Sequence, residues 1–225
     1  KLYKTGYVDE VKAVNNNAVK GTKKKNKKTK AKYFIEKKQG FGWGYRRALY
    51  ESSGDLIIMI EPDGTFVAED ILKFFAYSDQ FDVVFGTRTT SILVGSGANM
   101  GFAMKWANWF VAKIIEVLFD TTQLTDVGCT YRLIRRSAYE KIRKSFTITS
   151  NEFNPDMMLQ VIRHKIKFIE IPINYLKRVG ESSVTGSKIK SAVLAIKMMN
   201  LIIKHRLGII KKHNFKIIDK KKKKK

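Results

Sequence analysis

The stretch Asp55–Gly64, which reads DLIIMIEPDG, decides the fold. Its apolar run, bounded by turn residues, predicts a buried strand over Leu56–Ile60. Two carboxylates, Glu61 and Asp63, follow one residue apart where that strand ends. Ligands bind at the carboxyl ends of strands in open α/β sheets, and carboxylate oxygens suit Mg²⁺ or Mn²⁺. The pattern predicts either a divalent metal site that holds a diphosphate or an ordinary acidic turn.

Composition limits the class of protein. A chain of 225 residues is one large domain or two small ones. Its hydrophobic fraction of 44% indicates a globular rather than a disordered chain. The formal charge of +24 is concentrated in the stretches Lys20–Lys32 and Lys220–Lys225, which we expect to be solvated loops or tails. These runs lack interleaved aromatic residues, and no nucleic-acid-binding motif accompanies them. We therefore expect no nucleic acid partner, and a basic nucleic-acid-binding protein is the less favoured alternative.

The single cysteine, Cys129, excludes an internal disulfide framework and fits a reducing, cytoplasmic compartment. With only three histidines, a zinc site is also excluded. No apolar run reaches the ~18 residues of a membrane span. The chain begins with Lys1, and we expect it to be a fragment of a longer protein.

Strand and helix patterns alternate along the chain. Strands are predicted at Glu10–Val14, Tyr33–Ile35, Leu56–Ile60, Asp82–Phe85, Thr130–Ile134 and Lys167–Ile171. Helices are predicted at Gly40–Tyr50, Ala68–Tyr77, Met100–Phe119, Ser137–Lys144, Asn154–His164 and Ile189–His205. This alternation indicates an α/β protein with a parallel sheet and ligand chemistry on its carboxyl edge.

Eight short motifs occur in an order that resembles family 2 glycosyltransferases of the GT-A fold. They are Asn15–Thr22, Gly40–Gly42, Ser53–Asp55, Glu61–Gly64, Gly86–Arg88, Thr125–Arg132, Glu170–Tyr175 and Arg178–Ser183. The resemblance covers about residues 8–205 and is greatest to dolichyl- or polyprenyl-phosphate sugar transferases. It implies a mostly parallel central sheet flanked by helices. It also implies a glycosyltransferase domain over residues 1–206, with its first strand missing, and a basic tail over residues 207–225.

The resemblance implies a donor site for a nucleotide-diphosphate sugar. Glu61 and Asp63 would hold Mg²⁺ or Mn²⁺, which would neutralise the leaving diphosphate. The other implied donor-site residues are Asn15, Asn16, Gly40, Gly42, Asp55 and Arg132. For the two glycines a structural tight turn is the alternative, and Arg132 could equally pair with an internal acid.

The resemblance also implies catalytic roles for three charged residues. Arg88 and Arg178 would grip a phosphate through the planar guanidinium, with ordinary surface charge as the alternative. Asp126 is the candidate carboxylate near the acceptor, with a turn-capping aspartate as the alternative. For a sugar hydroxyl Asp126 would be a general base. For a polyprenyl phosphate, which we favour over a glycan, it would only orient the acceptor during an inverting transfer.

The segment Gly101–Phe119 has a stripe of aromatic residues with lysines between them. Core packing is the commoner explanation, but Trp106 and Trp109 also fit a helix at the headgroup level of a bilayer. We expect peripheral binding at the cytoplasmic face of a membrane. A catalytically impaired partner subunit is an alternative function, since Asn16 (or Asn15 beside it) and Lys20 replace acidic residues of the family and the first strand is missing.

Overall fold

The computed structural model describes residues 1–18, 20–98, 100–180 and 188–210. Its strands are β1 (Lys12–Asn15), β2 (Lys32–Ile35), β3 (Leu56–Met59), β4 (Val83–Thr87), β5 (Arg132–Arg135) and β6 (Phe168–Pro172). Its helices are α1 (Thr22–Asn26), α2 (Phe41–Glu51), α3 (Ile71–Ser78), α4 (Phe102–Phe119), α5 (Arg136–Ile142), α6 (Phe153–Arg163) and α7 (Lys188–Arg206). Short 3-10 helices lie at Leu2–Thr5, Ala68–Asp70 and Ser91–Leu93. The prediction for Glu181–Ser183 and that for the lysines of residues 211–225 lie outside the described residues.

The main sheet has the strand order β3-β5-β4-β6. β4 and β6 are parallel, whereas β5 is antiparallel to both β3 and β4. The expected mostly parallel sheet is confirmed, with β5 as its exception. Because β5 runs backwards, the segment that precedes it lies at the carboxyl ends of β3 and β4. A separate pair of parallel strands, β1 and β2, packs beside α2.

The core lies on both faces of the main sheet, because successive strand residues point to opposite sides. In β4, Val83 and Phe85 pack in the cluster that includes residues of α2, α4, α5, α6 and α7. Val84 between them packs in the second cluster, with Phe74 of α3. All three β4 side chains are fully buried, which fixes the strand whose end carries Arg88.

The lysine-rich stretch Lys20–Lys32 differs from the solvated loop that we expected. Thr22–Asn26 forms the short helix α1, and Lys32 pairs with Lys12 at the start of β2. The Asn26 side chain donates to the Ala31 carbonyl at 3.1 Å, which closes the turn between them. The lysine side chains remain exposed, so the run is locally ordered without entering the core.

Helices α4 and α7 pack against each other along one side of the sheet. In the described ranges, no helix combines the length and the apolar character needed to cross a bilayer.

Candidate active site

A cavity of about 750 Å³ opens where the main-sheet strands end. Its polar side includes Glu61 after β3, Arg88 after β4, Gly128 before β5 and Arg178 after β6. Its apolar side comes from α4 and α7 and includes Phe102, Met104, Ala107, Val111, Leu194 and Met198. The topology therefore gathers distant charged residues of the sequence beside an apolar wall.

The acid pair is joined by one arginine. Arg178 Nη2 lies 3.2 Å from Glu61 Oε2, and Arg178 Nη1 lies 2.8 Å from Asp63 Oδ2. The backbone N–H of Val179 donates to the Asp63 carbonyl at 2.8 Å, which ties the Arg178 segment to the turn. The structure thus brings together all three of these predicted site residues, with Arg178 acting as counter-ion of the acid pair.

The acid pair fits a divalent cation. Asp63 Oδ1 accepts the N–H and the hydroxyl of Thr65, which turns Oδ2 toward Arg178. Oδ2 is buried and receives no hydrogen bond of good geometry from the described residues. Burial and the adjacent Asp63 charge raise the pKa of Glu61, and Arg178 opposes this shift. Two hard carboxylate oxygens that already share one cation are suitable ligands for Mg²⁺ or Mn²⁺.

The described residues contain no group of three or more acidic, histidine or cysteine side chains able to enclose a metal ion. Mg²⁺ is usually bound by one or two carboxylates together with substrate phosphates and water. An ion held by Glu61 and Asp63 would therefore take its remaining ligands from a diphosphate and solvent.

Asp126 forms a buried bidentate pair with Arg88. Its Oδ2 accepts Arg88 Nε at 2.7 Å and the Arg88 backbone N–H at 3.1 Å. Its Oδ1 accepts Arg88 Nη2 at 2.9 Å and the Gly128 N–H at 3.0 Å. Burial alone would lower the pKa of Arg88, but the Asp126 charge raises it well above its usual value.

This geometry corrects the role expected for Asp126. The side chain is fully buried, and its four acceptor positions are occupied. It cannot take a proton from an acceptor or orient one directly in this conformation. Its bond to Gly128 matches the alternative of a turn-capping aspartate. Arg88, in contrast, borders the cavity, and its grip on a phosphate stays a prediction.

Arg132 does not reach the cavity, so the predicted nucleotide contact is wrong. Only 1% of the residue is exposed. It donates to the carbonyls of Cys129, Asn154 and Val127 at 2.7, 2.8 and 3.1 Å. Burial lowers its pKa to about 10, so it stays charged at neutral pH. It braces the loop before β5, and it pairs with carbonyls rather than with the internal acid of the alternative.

The structure places Asp55 away from the cavity, which corrects its predicted donor-site role. Asp55 is exposed and precedes β3, whereas the acid pair follows the other end of that strand. Its backbone carbonyl accepts the Arg136 N–H at 2.7 Å. The residue therefore joins β3 to the start of α5.

Gly40 and Gly42 match the structural alternative given for them. A Cβ on Gly40 would lie 2.4 Å from the Thr149 carbonyl oxygen, and one on Gly42 would lie 2.7 Å from the Thr149 carbonyl carbon. Gly40 also has φ +137°, a conformation that side chains rarely adopt. These glycines let the start of α2 pack directly against the Thr149 backbone.

Asn15 and Asn16 lie at the end of β1 with intramolecular partners. Asn15 donates to the Tyr33 hydroxyl at 2.7 Å. Asn16 donates to the Lys38 carbonyl at 2.6 Å and accepts the Gly40 N–H at 3.1 Å. A contact between either asparagine and a nucleotide stays a prediction.

Several residues that border the cavity received no role in the sequence-based prediction. Asn108, Asn154 and Tyr175 border the cavity, and the Arg88 guanidinium lies 5.1 Å from the Tyr175 ring centroid. The available signal for Asn108 was a polar residue on the apolar face of a predicted helix. Tyr175 ends a motif used for the family resemblance but received no role. Cys129 is fully buried, and burial raises the pKa of its thiol to about 12.

A model of glycosyl transferase family 2 matches residues 2–143, more than half of the chain. A dolichyl-phosphate beta-glucosyltransferase of Trichomonas vaginalis is 22% identical over 180 residues, which cover 76% of this chain and 52% of that protein. The chain therefore spans about half the length of this relative.

Similar solved structures support the fold. Glucosyl-3-phosphoglycerate synthase of Mycobacterium tuberculosis with Mn²⁺, UDP and glucosyl-3-phosphoglycerate is 10% identical, with a TM-score of 0.63 over 89% of this chain and 70% of that one. The same enzyme with Mg²⁺ and UDP is 9% identical, with a TM-score of 0.64 over 89% and 69%. The fold and the resemblance expected from the motifs are confirmed. This chain belongs to glycosyl transferase family 2 and has the GT-A fold.

Proposed function

We propose that this protein transfers a sugar from a nucleotide-diphosphate sugar to a polyprenyl phosphate, with inversion at the anomeric carbon. The observation that carries the proposal is the cavity itself, which has an acid pair and two arginines at one side and an apolar wall at the other. The Trichomonas vaginalis relative is named for transfer to dolichyl phosphate, and the mycobacterial neighbours bind UDP and Mn²⁺.

On the donor side, Glu61 and Asp63 would hold the divalent ion beside the diphosphate. The bound ion supplies Lewis-acid stabilisation of the leaving diphosphate. For the acid pair to bind it, Arg178 must leave the two carboxylates. Its guanidinium is then free to bind a phosphate through two parallel hydrogen bonds.

On the acceptor side, the buried state of Asp126 supports an acceptor that needs no general base. A phosphate with a second pKa near ~6 is already an anionic nucleophile at neutral pH. Arg88, held rigidly by Asp126, borders the cavity where this phosphate would bind. Attack opposite the leaving diphosphate gives an inverted product. The apolar wall of α4 and α7 would accommodate the first isoprene units.

The outer surface of α4 and α7 supports binding to a membrane. On α4, Phe102, Trp106 and Phe110 are 79%, 50% and 60% exposed. On α7, Ile196 is 69% exposed, and Lys197 beside it is also exposed. Large apolar side chains with nearby lysines suit the interface of an anionic bilayer. We call this surface the α4–α7 face and propose that it lies against the cytoplasmic leaflet.

Transfer can be tested with radiolabelled UDP- and GDP-sugars, Mn²⁺ and either polyprenyl phosphate or free oligosaccharide. The proposal predicts label in the organic phase only with polyprenyl phosphate, and a product with inverted configuration. Transfer to a glycan hydroxyl, or a retained configuration, would contradict it. Mn²⁺-independent sugar-nucleotide binding, or none, would instead favour the impaired partner subunit.

Membrane binding has a separate test with vesicles that contain anionic lipid. Trp106→Ser with Phe110→Ser should lower vesicle affinity by about tenfold or more, since each removes a large apolar group from the interface. Tyr77→Ser on α3 is the matched control, because that exposed aromatic residue lies on another helix. Equal binding by all three proteins would refute the orientation.

A further inference from the structure

We propose that Glu170 is a positioning residue that holds Arg88 in its place at the cavity by fixing the backbone of Thr125 and Asp126. This inference rests on the proposed function only for its kinetic readout. Glu170 lies in β6 and pairs with Phe85 of the neighbouring strand β4. The two residues that it would orient precede β5, which lies on the other side of β4.

The first link joins Glu170 to the loop before β5. Glu170 Oε2 accepts both the N–H and the hydroxyl of Thr125 at 2.6 Å. Glu170 Oε1 accepts the Asp126 N–H at 3.0 Å. One carboxylate therefore fixes two consecutive backbone N–H groups of a loop that lies outside the helices and strands.

A second link joins Thr125 to the strand that carries Arg88. The Thr125 hydroxyl lies 2.7 Å from that of Thr87 and 2.8 Å from that of Thr89. Because its hydrogen is donated to Glu170, the Thr125 oxygen serves as the acceptor for these two hydroxyls. The residues on both sides of Arg88 are thus connected to Glu170 through Thr125.

The third link is the pair of Asp126 and Arg88. With its backbone fixed by Glu170, the Asp126 carboxylate holds the Arg88 guanidinium at Nε and Nη2, and it also accepts the Arg88 backbone N–H. Glu170 therefore acts on a group at the cavity through two residues that do not themselves bind ligand.

The hydrogen bonds to residue 170 require two side-chain oxygens that both accept, which only a carboxylate provides. A glutamine has nearly the same shape and can accept the two Thr125 bonds through its carbonyl oxygen. Its amide NH₂ would then face the Asp126 N–H, so that two donors oppose each other. Burial raises the pKa of Glu170 to about 7, and the hydrogen bonds from Thr125 and from the Asp126 N–H oppose this shift, because they favour the charged form.

The decisive variants are Glu170→Gln, Arg88→Met and their combination, with Glu69→Gln as the matched control at an exposed glutamate. We expect Glu170→Gln to raise the KM for polyprenyl phosphate by roughly tenfold, the size of one hydrogen bond to a charged group, with a smaller change in kcat. In the Arg88→Met background the same substitution should have no further effect, because Arg88 is the group through which Glu170 acts. Glu69→Gln should behave as wild type.

A second readout does not depend on the acceptor. Hydrogen exchange at Thr125, Asp126 and Arg88 should accelerate in Glu170→Gln, while exchange in α6 stays unchanged. Thr125→Val removes the hydroxyl that contacts Glu170, Thr87 and Thr89 but keeps the backbone N–H bonds to Glu170 and the side-chain volume, so it should shift the same amides less. It serves as the test if Glu170→Gln does not fold.

Unchanged exchange at these amides would overturn the positioning role. The role would also be overturned if Glu170→Gln lowered activity equally in the wild-type and the Arg88→Met backgrounds, because Glu170 would then only support the fold. If wild type shows no transfer to polyprenyl phosphate, the proposed function fails, and hydrogen exchange still decides the role of Glu170.

Discussion

Two arginine–carboxylate pairs border the same cavity and differ in how they are held. Arg88 forms a bidentate pair with the fully buried Asp126, and a third bond comes from its backbone. Arg178 makes one contact to each carboxylate of the acid pair, and 28% of its side chain is exposed. Breaking a fully buried ion pair costs about 3–5 kcal/mol, and a pair that solvent reaches, as it does at Arg178, contributes less. The pair of Arg88 and Asp126 is therefore a fixed part of the site, and we call it the fixed pair. In the other, the exchangeable pair, a metal ion can replace Arg178 at the two carboxylates.

The largest effect is expected on stability when the fixed pair is broken. Asp126→Ala leaves Arg88 without its counter-ion and should lower the free energy of unfolding by about 3–5 kcal/mol. Arg178→Gln should lower it by less, because solvent reaches this partly exposed pair. Urea denaturation of both variants checks this, and equal losses would remove the distinction between the two pairs.

Asp63→Ala should lower sugar transfer by roughly 10²–10³-fold and abolish Mn²⁺-dependent nucleotide binding, because the site then keeps only one carboxylate for the ion. The fold should survive, since Asp63 lies in a turn after β3. Calorimetry with UDP and Mn²⁺ measures the loss, with Asp79→Ala as the control at an exposed aspartate. Wild-type turnover by Asp63→Ala would refute the metal site.

Arg178→Lys tests what the exchangeable arginine does after it leaves the acid pair. An ammonium keeps the charge but cannot form two parallel bonds to a phosphate. We expect kcat/KM to fall about tenfold, as for the loss of one charged hydrogen bond, while the melting temperature stays constant. Lys177→Gln is the control, because this exposed neighbour should leave both values unchanged.

The last comparison concerns a pH dependence of stability that arises from Glu170, which lies behind the fixed pair. The folded-state pKa of Glu170 is raised from 4.5 to about 7, so the folded protein binds this proton more tightly than the unfolded chain does. Its contribution to stability is therefore present below about pH 4.5 and is lost as pH rises through about 7. The free energy of unfolding of wild type should fall relative to that of Glu170→Gln between pH 5 and 8. If the free energies of unfolding of wild type and Glu170→Gln, measured by urea titration, change with pH in parallel, this assignment is contradicted.

The sequence predicted the exchangeable pair better than the fixed one. The continuous apolar run, bounded by turn residues, placed Glu61 and Asp63 at a strand end, and the motif order placed Arg178 near them. The partner of Asp126 depends on β5 running antiparallel, which a hydrophobic period does not encode. The burial of Arg132 was also hidden, because its three carbonyl partners are set by the loop conformation. Local patterns identified which residues gather at the site, but not which of them remain available to a ligand.

The central claim is most directly tested by a crystal structure of this protein with Mn²⁺ and UDP. We expect the ion to lie between Glu61 and Asp63, with Arg178 displaced from both carboxylates. Arg88 should still hold Asp126 through Nε, at a distance near the present 2.7 Å. A complex in which Arg178 still bridges the acid pair and the ion binds elsewhere, or in which Arg88 leaves Asp126, would contradict the account.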